Sequence, residues 1–100
     1  MITTSRAKFN LGQVFATPGA LAALRESGQT PQFFLSRHVQ GDWGEVSNGD
    51  ARCNDESLLD GARLLSAYKT LKGNRLWIIT EATDDSGHRV ATTILLPEEY

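Results

Sequence analysis

The chain has 100 residues, of which 40% are hydrophobic and 22% are charged, and its formal net charge is −2 at pH 7. This length supports one domain with a single core, and it leaves no room for the repeated βαβ units of a dinucleotide or S-adenosylmethionine fold. Because acidic and basic residues are mixed along the whole chain, the basic surface of a dedicated duplex-DNA binder is not expected.

The cysteine content and the first residues bear on the cellular location. Cys53 is the single cysteine, so no internal disulfide can form, which fits a reducing compartment. Residues 1–8 lack the apolar centre of a signal peptide, and no apolar run approaches the roughly 18 residues that span a bilayer. We expect a soluble, cytoplasmic protein with one α+β domain over residues 1–100, in which residues 1–6 form a flexible tail.

The N-terminal half predicts an extended segment followed by two short helices. Residues 8–16 alternate apolar and polar side chains, with an interruption at Gly12, and predict a short strand. Each helix then starts with a capping threonine and a proline at its first position and stops at a glycine. These signals are Thr17, Pro18 and Gly28 for the first helix, and Thr30, Pro31 and Gly41 for the second.

Residues 42–50 are rich in glycine, aspartate and asparagine, which is typical of a loop. Trp43 lies inside this loop, and we expect its large ring to hold the loop against the core. Asn54 is a suitable cap for a third short helix over residues 55–61, with Leu58 and Leu59 facing inward.

The C-terminal part predicts a three-stranded antiparallel meander over residues 63–70, 76–83 and 89–96, with turns at residues 72–74 and 84–87. The middle strand is apolar on both faces, so both faces should be covered. The helices can cover one face, and the other needs the N-terminal segment or a partner chain. The predicted fold class is α+β, with the N-terminal extended segment and two or three short helices packed on this meander.

His38 is the first candidate for chemistry, because histidine titrates near neutrality and is the usual general acid or base. The structural alternative is that His38 caps the end of its helix or packs beneath Trp43. Two histidines and one cysteine show no metal-ligand spacing, and no glycine-rich phosphate loop is present. We therefore expect no metal and no cofactor.

A second candidate activity is metal-independent cleavage of RNA, which needs a base, an acid and a cation for the phosphate. His38 and Glu81 could serve as the base and the acid, and Arg37 or Arg63 could hold the phosphate. The hydroxyls of Tyr68 and Thr93 could donate hydrogen bonds. The structural alternative is that tyrosine and threonine are simply good strand formers.

A third candidate is a protein contact surface, because aromatic residues are enriched at interface hot spots. The residues assigned to it are Trp43 with the neighbouring Asp42, Trp77 and Tyr100. The alternative for both tryptophans is a place in the core.

Several segments together resemble a family of small bacterial proteins carried on plasmids, phages and integrated elements. The segments are residues 9–14, 16–21, 37–38, 41–44, 65–68, 76–82 and 92–100. Members of this family are often labelled plasmid-related protein, and sometimes type I restriction enzyme subunit M. The second label does not fit the residues, because a methylating subunit needs a cofactor fold and an Asn-Pro-Pro-type motif that this chain lacks.

The order of the predicted elements is also similar to the small ribonucleases and toxins of the barnase and RelE-like group, in which a helical part precedes a meander. Two functions follow as expectations. The first is a non-enzymatic accessory protein of a mobile element that binds a host or element-encoded protein, for example a defence or replication component. The alternative is a ribonuclease that uses His38. A homodimer in which a twin covers the open sheet face is a third expectation.

Overall fold

The computed structural model describes residues 7–100, so the expected tail at residues 1–6 lies outside the described residues. The described chain is α+β, as predicted. Its elements in chain order are β1 (Gln13–Ala16), α1 (Pro18–Ser27), α2 (Pro31–Val39), α3 (Asn48–Asp60), β2 (Leu64–Lys69), β3 (Arg75–Thr80), β4 (Ala91–Leu95) and a 3-10 turn (Pro97–Glu99).

The strands form one four-stranded mixed sheet in the order β1-β4-β3-β2. β2, β3 and β4 are antiparallel neighbours, whereas β1 runs parallel to β4. The expected sheet of three strands is therefore corrected to four. Parallel strands need a long connection, and β1 and β4 are separated by most of the chain. Their pairing is therefore not indicated by a tight turn in the sequence.

The first two helices begin where their capping signals predict. The Thr17 side chain accepts a hydrogen bond from the Ala20 N–H at 3.2 Å. Thr30 accepts from the Phe33 N–H at 3.3 Å in the same way. These bonds satisfy backbone donors that the first helical turn leaves free, which explains why both starts could be read from the sequence.

The start of α3 was predicted incorrectly. The helix begins at Asn48, and the side chain of Ser47 caps it by accepting from the Asp50 N–H at 3.0 Å. Asn54 lies in the middle of the helix, where its side chain bonds to β2 instead of capping. The expectation that Leu59 faces inward was also wrong, because its side chain is 91% exposed.

The core lies between α1, α2 and one face of the sheet, here called the inner face. Alternate residues of each strand point to opposite faces, and the strand register aligns them across the sheet. The apolar core residues are Ala20, Ala23, Leu24, Phe34, Leu35, Tyr68, Leu76, Ile78 and Ile94. The opposite face, here called the outer face, is formed by Phe15, Leu65, Ala67, Trp77, Ile79, Thr93 and Leu95.

The free side of β2 is closed by two neighbouring segments. The Asn54 amide donates to the Leu65 carbonyl at 2.7 Å and accepts from the Leu65 N–H at 3.1 Å. The Ala67 N–H donates to the Trp43 carbonyl at 3.0 Å, and the Ala67 carbonyl accepts from the Glu45 N–H at 2.6 Å. Gly44 lies between them at φ +74°, and a Cβ there would be 2.0 Å from the Ala67 oxygen, so this close approach requires glycine.

Within residues 7–100, every helix is too short or too polar to cross a membrane.

Candidate functional site

His38 lies at the centre of a buried polar network on the inner face. Its Nδ1 is 2.6 Å from the Ser66 hydroxyl oxygen, and its Nε2 is 2.8 Å from the Thr80 hydroxyl oxygen. The chain of hydrogen bonds continues from Thr80 to Thr92 at 2.8 Å, and from Thr92 to the Leu11 carbonyl at 2.7 Å. The side chains of His38, Ser66, Thr80 and Thr92 are all 0% exposed.

The far end of this network fixes the direction of every hydrogen bond in it. The Leu11 carbonyl can only accept, so Thr92 donates its hydroxyl proton there and must accept from Thr80. Thr80 has then used its own proton, so His38 Nε2 must carry a hydrogen and donate it to Thr80. In the neutral ring Nδ1 is then the acceptor, and Ser66 donates to it.

Burial makes this neutral ring the stable form. Loss of solvent lowers the pKa of His38 from 6.5 to about 3, with a smaller contribution from the positive charge of Arg89. The ring also packs edge-on against Trp43, with ring centroids 5.8 Å apart. His38 therefore packs with Trp43, which is one of the two structural alternatives considered from the sequence. No part of its ring reaches the surface.

The residues of the ribonuclease hypothesis are divided between the two faces of the sheet. His38 and Tyr68 lie on the inner face, where Tyr68 is 2% exposed. Glu81 and Thr93 line a cleft on the outer face together with Arg63. The structure therefore does not bring His38 and Glu81 to one solvent-accessible place, which a shared proton-transfer step requires.

Arg37 and Asp42 form an ion pair beside Tyr68. Arg37 Nε donates to the Asp42 carboxylate at 2.7 Å, and this hydrogen bond lowers the pKa of Asp42. The guanidinium lies 4.5 Å from the centre of the Tyr68 ring, and the Tyr68 hydroxyl donates to the Asp42 carbonyl at 2.5 Å. Burial raises the pKa of Tyr68 to about 12. These contacts hold the end of α2 and the following loop against the core.

Trp43 is a core residue, because only 6% of its surface is exposed. Its indole N–H donates to the Asp55 carboxylate at 3.0 Å, and its ring stacks on Phe9 at 6.2 Å. The loop is thus held against the core as predicted. Trp43 and Asp42 lie on the inner side of the sheet, away from the other two residues assigned to a contact surface.

Trp77 and Tyr100 come together on the outer face. Their rings meet edge-on at 5.7 Å. Arg63 donates to the Tyr100 hydroxyl at 2.9 Å, and its guanidinium lies 5.8 Å from the centre of the Tyr100 ring. Tyr100 keeps 69% of its surface exposed, and Arg63 is also exposed. We call Arg63, Trp77 and Tyr100 the aromatic cluster.

The 3-10 turn that carries Tyr100 is fixed to the start of α1. The Glu99 carboxylate accepts hydrogen bonds from the Thr17 hydroxyl, from the Gly19 N–H at 3.1 Å and from the Leu96 N–H at 2.8 Å. These bonds, the one from Thr17 first, lower the pKa of Glu99. A Cβ on Gly19 would be 2.5 Å from a Glu99 oxygen, so the close approach favours glycine. Tyr100 is thereby presented from an anchored turn.

A cleft of about 220 Å³ opens beside the aromatic cluster. Its apolar lining comes from Ile79 and Leu95, which are 6% and 5% exposed. Its polar lining comes from Arg63, Glu81, Thr93 and Glu99. An apolar interior with charges of both signs around it can receive an amphipathic surface of similar composition.

A larger cavity of about 390 Å³ lies near Lys8, Asp60 and Arg89. Arg89 is 7% exposed, and its guanidinium donates to the carbonyls of Ser57, Ala62 and Glu81 at 2.8–3.0 Å. This cation therefore ties the end of α3 to β3 and β4, and most of its donors are used within the fold. Among residues 7–100, no group of His, Cys, Asp and Glu side chains could hold a metal ion.

Comparison with protein-family models, curated proteins and solved structures found no match to this chain.

Trp77 and Tyr100 were assigned to a contact surface from the sequence, and their rings are in contact in the structure. The role of Glu99, whose carboxylate accepts three hydrogen bonds, was not predicted from the sequence. The pairing with Thr17 spans 82 residues, so no local spacing signals it. Thr93 and Glu81 were assigned to chemistry with His38, whereas they share the outer face with Arg63.

Proposed function

We propose that the protein is a non-enzymatic binding module that holds a protein partner on the outer face of its sheet. The observation that carries the proposal is the aromatic cluster beside an apolar cleft, on a face against which none of the helices α1–α3 packs. α1 and α2 form the core with the inner face. α3 lies on the same side, since its Asp55 bonds to Trp43, which contacts His38.

The composition of the cluster supports a protein partner. Tryptophan, tyrosine and arginine are the three residue types most enriched at interface hot spots, and here they contact one another. A buried apolar centre surrounded by polar groups is the usual arrangement of a protein–protein interface. Phe15 extends the apolar surface across β4, with 51% of its side chain exposed.

The charges around the cleft favour a protein over a nucleic acid. Arg63 stands beside Glu81 and Glu99, so the cleft is not a basic groove. Nucleic acids bind to surfaces where positive charge dominates, because the phosphates supply most of the affinity. The net charge of −2 adds to this argument.

The partner we propose is a host protein or a protein encoded by the same mobile element, for example a defence or replication component. This part of the proposal depends on the resemblance of residues 9–14, 76–82 and 92–100 to plasmid- and phage-borne proteins. Segments 76–82 and 92–100 include the side chains of the outer face and of the anchored turn. The resemblance therefore falls partly on the surface to which we assign binding.

The experiment is a quantitative affinity capture from the host with the tagged full chain and a variant that combines Arg63→Ala with Tyr100→Ala. Both side chains are exposed, so the variant should fold. We expect recovery of the partner to fall by about tenfold or more, which corresponds to about 1.4 kcal/mol.

The matched control is Leu71→Ala, which changes a side chain that is 80% exposed in the turn between β2 and β3. This control should recover the partner as well as the native chain. Equal recovery by the native chain and the Arg63→Ala, Tyr100→Ala variant, with circular dichroism showing both folded, would contradict the proposal.

A further inference from the structure

β1 is an edge strand whose outward backbone groups find no partner strand among residues 7–100. The N–H groups of Gln13 and Thr17 donate to the carbonyls of Val90 and Ile94 in or next to β4, both at 3.0 Å. Because the direction of these groups alternates along a strand, the N–H and C=O groups of Val14 and Ala16 point away from β4. The other edge of the sheet, β2, is closed by Asn54 and residues 43–45.

The surface around this edge is apolar. Val14 is 46% exposed and Phe15 is 51% exposed. Beside β1, a groove of about 410 Å³ runs to α2, and its lining residues are Leu11, Val14, Gln32, Leu35, Ser36 and Val39. An open edge with exposed apolar side chains is a template for a further strand.

The two segments that form this surface contribute no charged side chain, and the Glu99 carboxylate, which is bonded to Thr17 and Gly19, lies at the end of β1. The 16 residues from Phe9 to Leu24 and the eight residues from Gln29 to Ser36 contain no acidic or basic side chain, in a chain that is 22% charged overall. A two-fold interface places the same patch of both copies face to face, so a patch with charges of one sign would repel itself. A neutral patch can face a second copy without this repulsion.

We propose that β1 pairs antiparallel with β1 of a second copy, so that two sheets join into one continuous sheet of eight strands. We choose the register in which the two outward residues of each copy bond to those of the other copy. Val14 lies opposite Ala16 of the second copy and exchanges two hydrogen bonds with it, and Phe15 lies opposite Phe15 of the second copy on the two-fold axis. The two grooves beside α2 then meet on the inner side of the joined sheet.

This proposal can be tested separately from the binding function assigned to the outer face, although Phe15 belongs to both surfaces. Val14 belongs to the groove on the inner side, whereas Arg63 and Tyr100 belong to the aromatic cluster. A Val14 variant that loses the dimer and still captures the protein partner would separate the two proposals.

The first test is sedimentation velocity of the full chain over a concentration series. The native chain, of 11.0 kDa, should sediment as a dimer at high concentration. Val14→Lys should weaken the dimer by about tenfold or more, because it places two like charges at the edge that pairs. Leu71→Lys is the matched control and should leave the dimer unchanged.

The second test fixes the register by disulfide formation in a Cys53→Ser background, which removes the native exposed thiol. Phe15→Cys should form a disulfide between the copies, because opposed residues of a non-hydrogen-bonded pair have their Cβ atoms close together. Gln13→Cys should not, because Gln13 would lie opposite Thr17 of the second copy.

A native chain that stays monomeric at all concentrations would overturn the proposal, and so would a dimer that Val14→Lys leaves intact. Equal cross-linking at positions 13 and 15 would overturn the register. Dimerisation with weakening by Val14→Lys and cross-linking at position 15 alone would support both parts.

Discussion

His38 shows how strongly burial controls the chemistry of a side chain. Histidine is a residue type expected of a general base, but both ring nitrogens of His38 are hydrogen-bonded inside the fold. The pKa of His38 is about 3. The ring acts as a neutral connector that donates to Thr80 and accepts from Ser66. Its contribution is to the stability of the packing between α2 and the sheet.

This role predicts a dependence of stability on pH. The pKa of His38 is about 3 in the folded chain and about 6.5 when unfolded, so the unfolded chain binds the proton more readily. The stabilising contribution is therefore complete above pH 6.5 and is lost as the pH falls toward 3. Urea denaturation of the native chain should show a loss of up to about 1.4 kcal/mol per pH unit in this range.

His38→Gln should remove this part of the pH dependence, although the variant is less stable at pH 7. The matched control is His88→Gln at an exposed turn position, which should keep the native pH dependence. Measurements between pH 6.5 and 4.5 avoid most protonation of Asp42 and Glu99, whose pKa values are lowered. An unchanged slope in His38→Gln would contradict the buried neutral ring.

At the scale of elements, the two edges of the sheet differ. β2 has its outward groups satisfied by Asn54 and by residues 43–45, whereas β1 presents Val14 and Ala16 outward. Asn54 is polar and only 5% exposed, and its place inside α3 is explained by its two hydrogen bonds to Leu65. An edge that is closed in this way is protected from adding strands.

Asn54→Ala should destabilise the fold by about 1–3 kcal/mol, because it leaves the N–H and C=O of Leu65 without their partner. Thermal and urea unfolding measure this loss. Arg52→Ala, on the exposed side of the same helix, is the control and should change the free energy of unfolding by less than about 0.5 kcal/mol. A loss no larger in Asn54→Ala than in Arg52→Ala would show that the edge does not need Asn54.

The elements that could be predicted are those with local signals. Thr17 with Pro18 and Thr30 with Pro31 mark their helices because capping involves neighbouring residues. The parallel pairing of β1 with β4 could not be predicted, since it joins residues far apart in the chain. The start of α3 was placed wrongly at Asn54, because the sequence does not distinguish an asparagine that caps a helix from one that bonds to a distant strand.

The candidate site was predicted only in part, because residue types are visible in the sequence and long-range contacts are not. Trp77 and Tyr100 are residue types that suggest contact, so each was named from the sequence. Their meeting depends on the bonds from Glu99 to Thr17 and Gly19, which only the fold brings together. His38 and Glu81 are likewise far from a common site because they lie on opposite faces of the sheet.

At the scale of the whole molecule, the chain has two layers. The helices lie on one side of a four-stranded sheet, and the outer face carries the aromatic cluster and an apolar cleft. Joining two copies through β1 would place two such outer faces side by side. A partner that is itself two-fold symmetric could then engage both faces, which would raise the apparent affinity through multivalency.

Photo-crosslinking in the host, with a light-activated amino acid at one position of the full chain, tests whether the outer face binds a protein partner. Thr93 is the position to choose, because it lines the cleft on the outer face, and Leu71 is the exposed position for comparison. We expect a cross-link to a second, different protein from position 93 and none from position 71. Cross-linking of that protein from position 71 but not from position 93 would contradict the assignment of the outer face as the binding surface.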